Sequence, residues 1–229
     1  MKKTIGILGG ISLASTIQYY RKITDLYYER KKDYYYPEII INSLDFQYFT
    51  DLENEHRTEE YINYILKGIH SLERAGADFV IMAANSPHSV FEEVNGKANI
   101  PMLSIVETTA KEAERRKLKK LLLTGIKYTM QSSFYPEVLK RYGIEVITPE
   151  EKHQDEINAM IFEELVINKI TDGTRNRMLD IIRSYAVEGV ILGCTELPLL
   201  INQEVCPIHV LDTLSLHAGA ALEYALDNE

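Results

Sequence analysis

Cysteine is scarce, with only two thiols, Cys194 and Cys206, in a chain of 229 residues. A chain of this length buries a core without covalent staples. The pair therefore does not read as a disulfide framework, and a reducing, cytoplasmic setting is expected. Metal-ligand spacing is missing too. The six histidines show no His/Cys or His/Glu pattern of the kind a zinc site requires, so no metal is expected. Positive charge is the minority sign, 25 lysines and arginines against 34 aspartates and glutamates, for a formal net charge of -9. Nucleic acid needs clustered cations and is not an expected partner. The one basic run, Arg115, Arg116, Lys117, Lys119 and Lys120, reads as the solvated end of a helix entering a strand. No apolar stretch reaches the length of a membrane span, so no membrane partner is expected. Lys2 and Lys3 ahead of Ile5 to Leu13 imitate a signal peptide, but Gly6, Gly9 and Gly10 fit a strand running into a tight turn better.

What is there is the alternation of a parallel α/β protein: short β-rich apolar runs separated by longer stretches of helical period. Strands are predicted at 4–8, 38–44, 79–82, 102–105, 120–124, 145–147, 190–192 and 208–211. Helices are predicted at 12–29, 59–74, 108–116, 132–142, 155–166, 175–185 and 213–225. The chain also repeats itself. Aligning KKTIGILGGISLASTIQYY (2–20) with KKLLLTGIKYTMQSSFY (119–135) at Gly10 and Gly125 also aligns Tyr20 with Tyr135. FVIMAANS (79–86) matches GVILGCTE (189–196), and IPMLSIVET (100–108) matches CPIHVLDT (206–213). Three matches in one order predict a duplicated fold, two similar lobes related by a pseudo-twofold, each a parallel sheet flanked by helices. The lobes are expected at 1–103 plus a C-terminal segment from about 208 to 229, and at 104–207. Ligands of such sheets bind beyond the carboxyl ends of the strands, so the site is expected in a cleft between the lobes, with Ala84 and Cys194 as counterparts facing each other.

Cys194 comes after a strand and precedes Thr195, Glu196, Leu197 and Pro198. Pro198 suits the first turn of a helix, whose dipole would draw the thiol below its ordinary pKa of about 8.5. A small buried hydrophobe is an equally good reading from local context. Cys206, ahead of Pro207 with no polar company, reads as structural. The Gly6, Gly9, Gly10 turn lacks G-x-G-x-x-G spacing, which argues against a dinucleotide, though its amides could hold a carboxylate. Asn85, Ser86, Thr129 and Thr195 offer hydrogen-bond donors at strand ends, as substrate ligands or as turn and helix caps.

The segments GILGGISLASTIQYY, AGADFVIMAANSPH, TGIKYTMQSSFY, INAMIFEEL and EGVILGCTELPLL together resemble the aspartate/glutamate racemase family over nearly the whole chain. The resemblance implies a PLP-independent amino-acid racemase without cofactor. Its substrate would be a small amino acid or dicarboxylate held between two lobes, with two cysteines exchanging the α-proton on opposite faces, and the chain a homodimer. Cys194 matches the second of those cysteines. Ser12, Asn85, Ser86, Thr129 and Thr195 fall where the family holds the substrate's carboxylates and amine. Ala84 stands where the first cysteine belongs, and a methyl group carries no proton. Losing one positioned proton donor costs about 10² to 10⁴ in rate, so a slow or one-base enzyme is expected. His88, four residues on, either relays a proton or packs. The family lysine that meets an acidic side chain aligns with Val166, and Arg57 is the one arginine near the first-lobe specificity loop. A decarboxylase of the same fold that needs only the second cysteine, and a non-catalytic carboxylate-binding homologue, are the alternatives.

Overall fold

The structure is a computed structural model and describes residues 2–167 and 169–227. The chain forms two compact units, Met1–Ile105 with His217–Glu229, and Val106–Leu216. The first is built on β1 (Ile5–Gly9), β2 (Ile39–Ser43), β3 (Phe79–Met82) and β4 (Met102–Leu103), all parallel in the order β2-β1-β3-β4. Ile5 stands opposite Phe79 and Leu8 opposite Met82, so the two central strands end at one level. Their side chains alternate between faces. Leu8, Val80 and Met82 pack with Ile65, Ile69 and Leu72 of α3 (Thr58–Arg74) and with Phe49 and Leu52 of α2 (Phe46–Asn54). Phe79 instead meets Tyr224 of α10 (Thr213–Leu226), with ring centroids 4.7 Å apart. Gly10 leads the chain out of β1 at φ 79°, where a Cβ would collide with the backbone of Leu44. Only glycine meets both conditions.

The second unit repeats the plan. β5 (Lys120–Thr124), β6 (Glu145–Ile147), β7 (Gly189–Leu192) and β8 (His209–Asp212) are parallel in the order β6-β5-β7-β8. Its central pair runs in register from Leu121 opposite Gly189 to Thr124 opposite Leu192. Leu122, Val190 and Leu192 form a core with Ile157 of α8 (Glu151–Ala159) and with Met178 and Ile182 of α9 (Asp172–Arg183). The α/β class and the duplication expected from the three sequence matches are the architecture observed. Among the described residues no helix is long and apolar enough to cross a membrane.

Several boundaries differ from expectation. The C-terminal segment joins the first unit at His217 and not near 208, because β8 hydrogen-bonds β7 from His209 through Asp212 and is thereby fixed in the second sheet. The earlier crossing falls between Ile105 and Val106, inside α5 (Ile105–Arg115), and not at 103/104. α2 has no counterpart among the expected helices. It buries only Phe49 and Leu52, too few apolar positions to register as a period, and is started by the Asp45 side chain accepting from Tyr48 N. α9 begins earlier than the apolar pattern suggests, because Thr171 Oγ1 caps the N–H of Thr174 at 3.1 Å. The helix expected at 155–166 starts at Glu151, and past Ala159 it widens into a π turn, Met160–Glu164.

Two buried imidazoles fasten the first unit. His217 Nε2 lies 3.0 Å from the Leu103 carbonyl, which can only accept, so Nδ1 accepts from Tyr19 of α1 (Leu13–Lys31) at 2.9 Å. His88 Nε2 accepts the Ile105 N–H at 3.1 Å, so its proton sits on Nδ1, 3.0 Å from the Ala84 carbonyl. Both rings are neutral. Burial, with His217 nearby, holds the pKa of His88 down to about 3, and burial holds that of His217 down to about 4. Unfolded histidine takes up its proton near pH 6.5, so below that pH the unfolded chain binds more protons than the folded one. Stability is therefore retained above about pH 6.5 and lost as pH falls toward the folded values, at about 1.4 kcal/mol per pH unit for each ring. Urea unfolding followed from pH 7.5 to 5 should show this loss, and His217→Gln should flatten its slope by about the share of one ring. An unchanged slope in the variant would remove His217 from the account.

Candidate active site

In the first unit, Ser12, Ala84, Asn85 and Ser86 lie just past the carboxyl ends of β1 and β3. Ser12 caps α1, accepting from Ser15 N at 3.3 Å, and does so at φ 85°, a region that costs a non-glycine residue about 1–3 kcal/mol. Ser15 Oγ donates to the Ala83 carbonyl at 2.5 Å and ties the start of α1 to the end of β3. Ala84 is buried in the apolar cluster beneath α3. Asn85 and Ser86 are buried as well and open a short 3₁₀ turn, Ser86–Val90. His88 has both ring nitrogens committed to backbone, to Ala84 and Ile105, and the His88 N–H donates to the Asn85 carbonyl at 3.0 Å. Its place is to hold this turn, and no ring nitrogen remains for a proton relay.

Sequence reasoning missed Glu53 here. Its carboxyl accepts from Tyr61 Oη at 2.8 Å, and partial burial raises its pKa. Arg57, considered as a specificity residue, is occupied by Glu55 and Glu60 at 3.1 and 2.6 Å.

In the second unit, Cys194 and Thr195 lie just past β7, and Thr129 lies in α6 (Lys127–Gln131) after β5. Two glycines allow the loops to touch. A Cβ on Gly193 would lie 2.7 Å from the Thr124 carbonyl, and one on Gly125 would lie 2.9 Å from that of Gly193. The hydroxyl of Thr129 is buried with no hydrogen-bond partner. A desolvated hydroxyl in that state costs about 1–3 kcal/mol, a deficit that a ligand's polar atom would remove. Cys194 Sγ donates to Glu196 Oε2 at 3.0 Å, and Thr195 Oγ1 donates to the same oxygen at 2.9 Å.

The expected lowering of the thiol pKa is overturned. The segment after Cys194 is a three-residue 3₁₀ turn, Leu197–Leu199, with no helix dipole to speak of. Burial and the Glu196 charge both disfavour a thiolate, and the Cys194 pKa lies well above the ordinary thiol range. Glu196 is the residue whose importance the sequence hid. Cys206 packs into the core of the second unit, as its surroundings in sequence suggested. Val166, in the turn after the π segment, is exposed. Among the described residues no three His, Cys, Asp or Glu side chains gather as metal ligands.

The Asp/Glu/Hydantoin racemase family model matches residues 8–221. The chain belongs to that family. The curated relatives it matches include amino-acid racemases, enzymes of the isomerase class. It is 30% identical over 214 residues to the broad specificity amino-acid racemase RacX of Bacillus subtilis, an alignment covering 91% of this chain and 92% of that one. Among solved structures, an aspartate racemase homologue from Pyrococcus horikoshii superposes with a TM-score of 0.89 at 39% identity, over 99% of this chain and 100% of the other. The aspartate racemase of Picrophilus torridus superposes with a TM-score of 0.80 at 26% identity, over 97% and 94%.

Burial and, after it, the Glu196 carboxylate hold the thiol's pKa up, so Glu196→Gln removes a charge and should move the Cys194 titration to lower pH. Alkylation rates of the two-cysteine protein measured from pH 7 to 11 would resolve the midpoint. A midpoint that does not fall would rule out the carboxylate as the cause.

Proposed function

We propose that the chain is a cofactor-independent amino-acid racemase. In this reading Cys194 exchanges the α-proton on one face of the substrate, while Ala84 leaves the opposite face without a thiol. The observation that carries the reading is the hydrogen bond from Cys194 Sγ to the Glu196 carboxylate at the carboxyl end of β7. At rest the thiol keeps its proton and is a ready acid. When it passes that proton to Glu196, the thiolate left behind is a strong base because its pKa is high. Removal of an α-proton next to an ammonium group calls for such a base. The unpartnered hydroxyl of Thr129 supports its assignment as a substrate ligand in the second unit. Ser12, Asn85, Ser86 and Thr195 complete the set of substrate-binding residues.

The substrate is an amino acid. Val166 brings no cation to meet a side-chain carboxylate, and RacX, the relative matched over nearly its whole length, is named for broad specificity. A preference for aspartate or glutamate is therefore not part of the proposal. The chain is also taken to be a homodimer. An exposed apolar stripe on α1, formed by Leu13, Ile17, Tyr20 and Tyr28, supports this, and Tyr28 extends it by stacking on Tyr34 at 5.4 Å. Light scattering that returns a monomer mass at micromolar concentration would exclude the dimer.

One thiol reaches one face. In deuterated water the enzyme should label the α-position of one enantiomer faster than it forms the other, and Cys194→Ser should abolish labelling, because a hydroxyl is far harder to deprotonate than a thiol. Mass spectrometry with chiral chromatography reads both rates in one incubation. Binding without labelling of any amino acid would reject the racemase. It would favour the single-thiol decarboxylase, which needs Cys194 only as a proton donor, or a carboxylate-binding protein.

A further inference from the structure

In the second unit the outer strand β8 follows its neighbour to the end. Leu192 stands opposite Asp212, and the Thr213 hydroxyl donates to the Leu192 carbonyl at 2.8 Å. In the first unit the matching strand, β4, is two residues long, and its register with β3 stops where Leu103 stands opposite Ile81. On that side the ladder ends before the turn that carries Asn85 and Ser86. Two buried imidazoles take its place. The Tyr19 hydroxyl donates to His217 Nδ1 at 2.9 Å, and His217 Nε2 donates to the Leu103 carbonyl at 3.0 Å. Two residues on, the Ile105 N–H donates to His88 Nε2 at 3.1 Å, and His88 Nδ1 donates to the Ala84 carbonyl at 3.0 Å. The two rings meet edge to face at 5.9 Å, and Phe91 stacks on His88 at 5.4 Å. The backbone partners fix opposite tautomers, with the proton on Nε2 of His217 and on Nδ1 of His88. All four donors therefore point the same way, from α1 and α10 toward the turn.

We propose that His217 is a positioning residue: acting through the segment from Leu103 to Ile105 and through His88, it sets where the turn after β3 holds Asn85 and Ser86. The inference rests on the racemase reading, in which those two residues bind the amino acid. Ile105 is fully buried, and a buried N–H without a partner is costly, so the segment and the His88 ring stay together. His217 holds the other end of that segment by its carbonyl. With the Leu103 bond cut, the segment is free to withdraw, and the ring that ties down the Ala84 carbonyl loses its acceptor bond. Tyr19 has a narrower part. Its hydroxyl occupies Nδ1 of His217 and so keeps the ring's proton on the nitrogen that faces Leu103.

Two substitutions at one position separate this role from a share in folding. A glutamine amide reaches about as far as Nε2 and an asparagine amide about as far as Nδ1, so His217→Gln keeps the Leu103 bond whereas His217→Asn keeps only the bond to Tyr19. In His217→Asn the amides of Ile105 and of His88, which donates to the Asn85 carbonyl, should exchange hydrogen about tenfold faster by NMR while those of β1 and β3 hold their rates. His217→Gln should exchange as the wild type does. Turnover is followed as α-deuteration of the L-amino acid, among the common twenty, that the wild type labels fastest. There His217→Asn should raise KM about tenfold with kcat within about twofold, the mark of lost uniform binding, and His217→Gln should restore KM. Wild-type exchange and KM in His217→Asn would overturn the inference, as would faster exchange throughout the unit or an equal rise in KM in both variants. Should His217→Asn fail to fold, His88→Asn cuts the same path one bond later, between Ile105 and the ring, and an unchanged KM there overturns the inference too. A wild type that labels no amino acid sinks the racemase reading itself, and the exchange rates then decide the link from His217 to the turn on their own.

Discussion

The structure depends on two short parallel strand pairs, β1 with β3 and β5 with β7, each held in register over four residue pairs. Parallel pairing sends both chains off the sheet at the same end, so the segments leaving paired strands are neighbours whatever their distance in sequence. In the second unit this closeness is extreme. The loops after β5 and β7 touch through Gly125 and Gly193, and neither position has room for a Cβ without displacing backbone. In the first unit the same closeness is secured by side chains, with Ser15 bonded to the Ala83 carbonyl and His88 to the carbonyl of Ala84. The chemistry sits on ground that the strands prepare and the loops cannot leave.

Hydrogen bonding decides what the candidate groups can do. A thiol beside a carboxylate behaves as an acid that is slow to ionise, whereas the same thiol at a helix N-terminus would be largely ionised. His88 looks from its place in the sequence like a relay, but two backbone partners make it a fastener. Glu53 looks like a surface acid near the end of a helix, but its carboxyl accepts the hydroxyl of Tyr61 from the next helix. For both residues a partner distant in sequence sets the role.

That is also the limit of what the sequence could say. All eight strands fall within two residues of their expected positions at either end, because a buried parallel strand such as Phe79 to Met82 is an apolar run with turn residues after it. The duplication was legible from three matched segments. α2 was not, since exposed Phe46 and Tyr48 blur its period, nor was the π turn at Met160, which comes from packing and not from a residue preference. Cys194, Thr195, Asn85 and Ser86 could be named from the strand ends that carry them. Glu196 and Glu53 could not, because what distinguishes them is a partner and the exclusion of water, and neither leaves a trace in one sequence.

The two units are not continuous in the chain. The first begins at the N-terminus but takes its last helix segment from His217 onward, and that segment supplies the bond to the Leu103 carbonyl, the bond to Tyr19 and the ring against Phe79. During synthesis β1 to β4 leave the ribosome more than one hundred residues before the segment that covers Phe79 exists. Until then Phe79 lacks the ring of Tyr224 that packs on it. The second unit, enclosed within a single stretch of sequence, can close first. The last turns to be translated are therefore the ones that complete the packing of the first strands made.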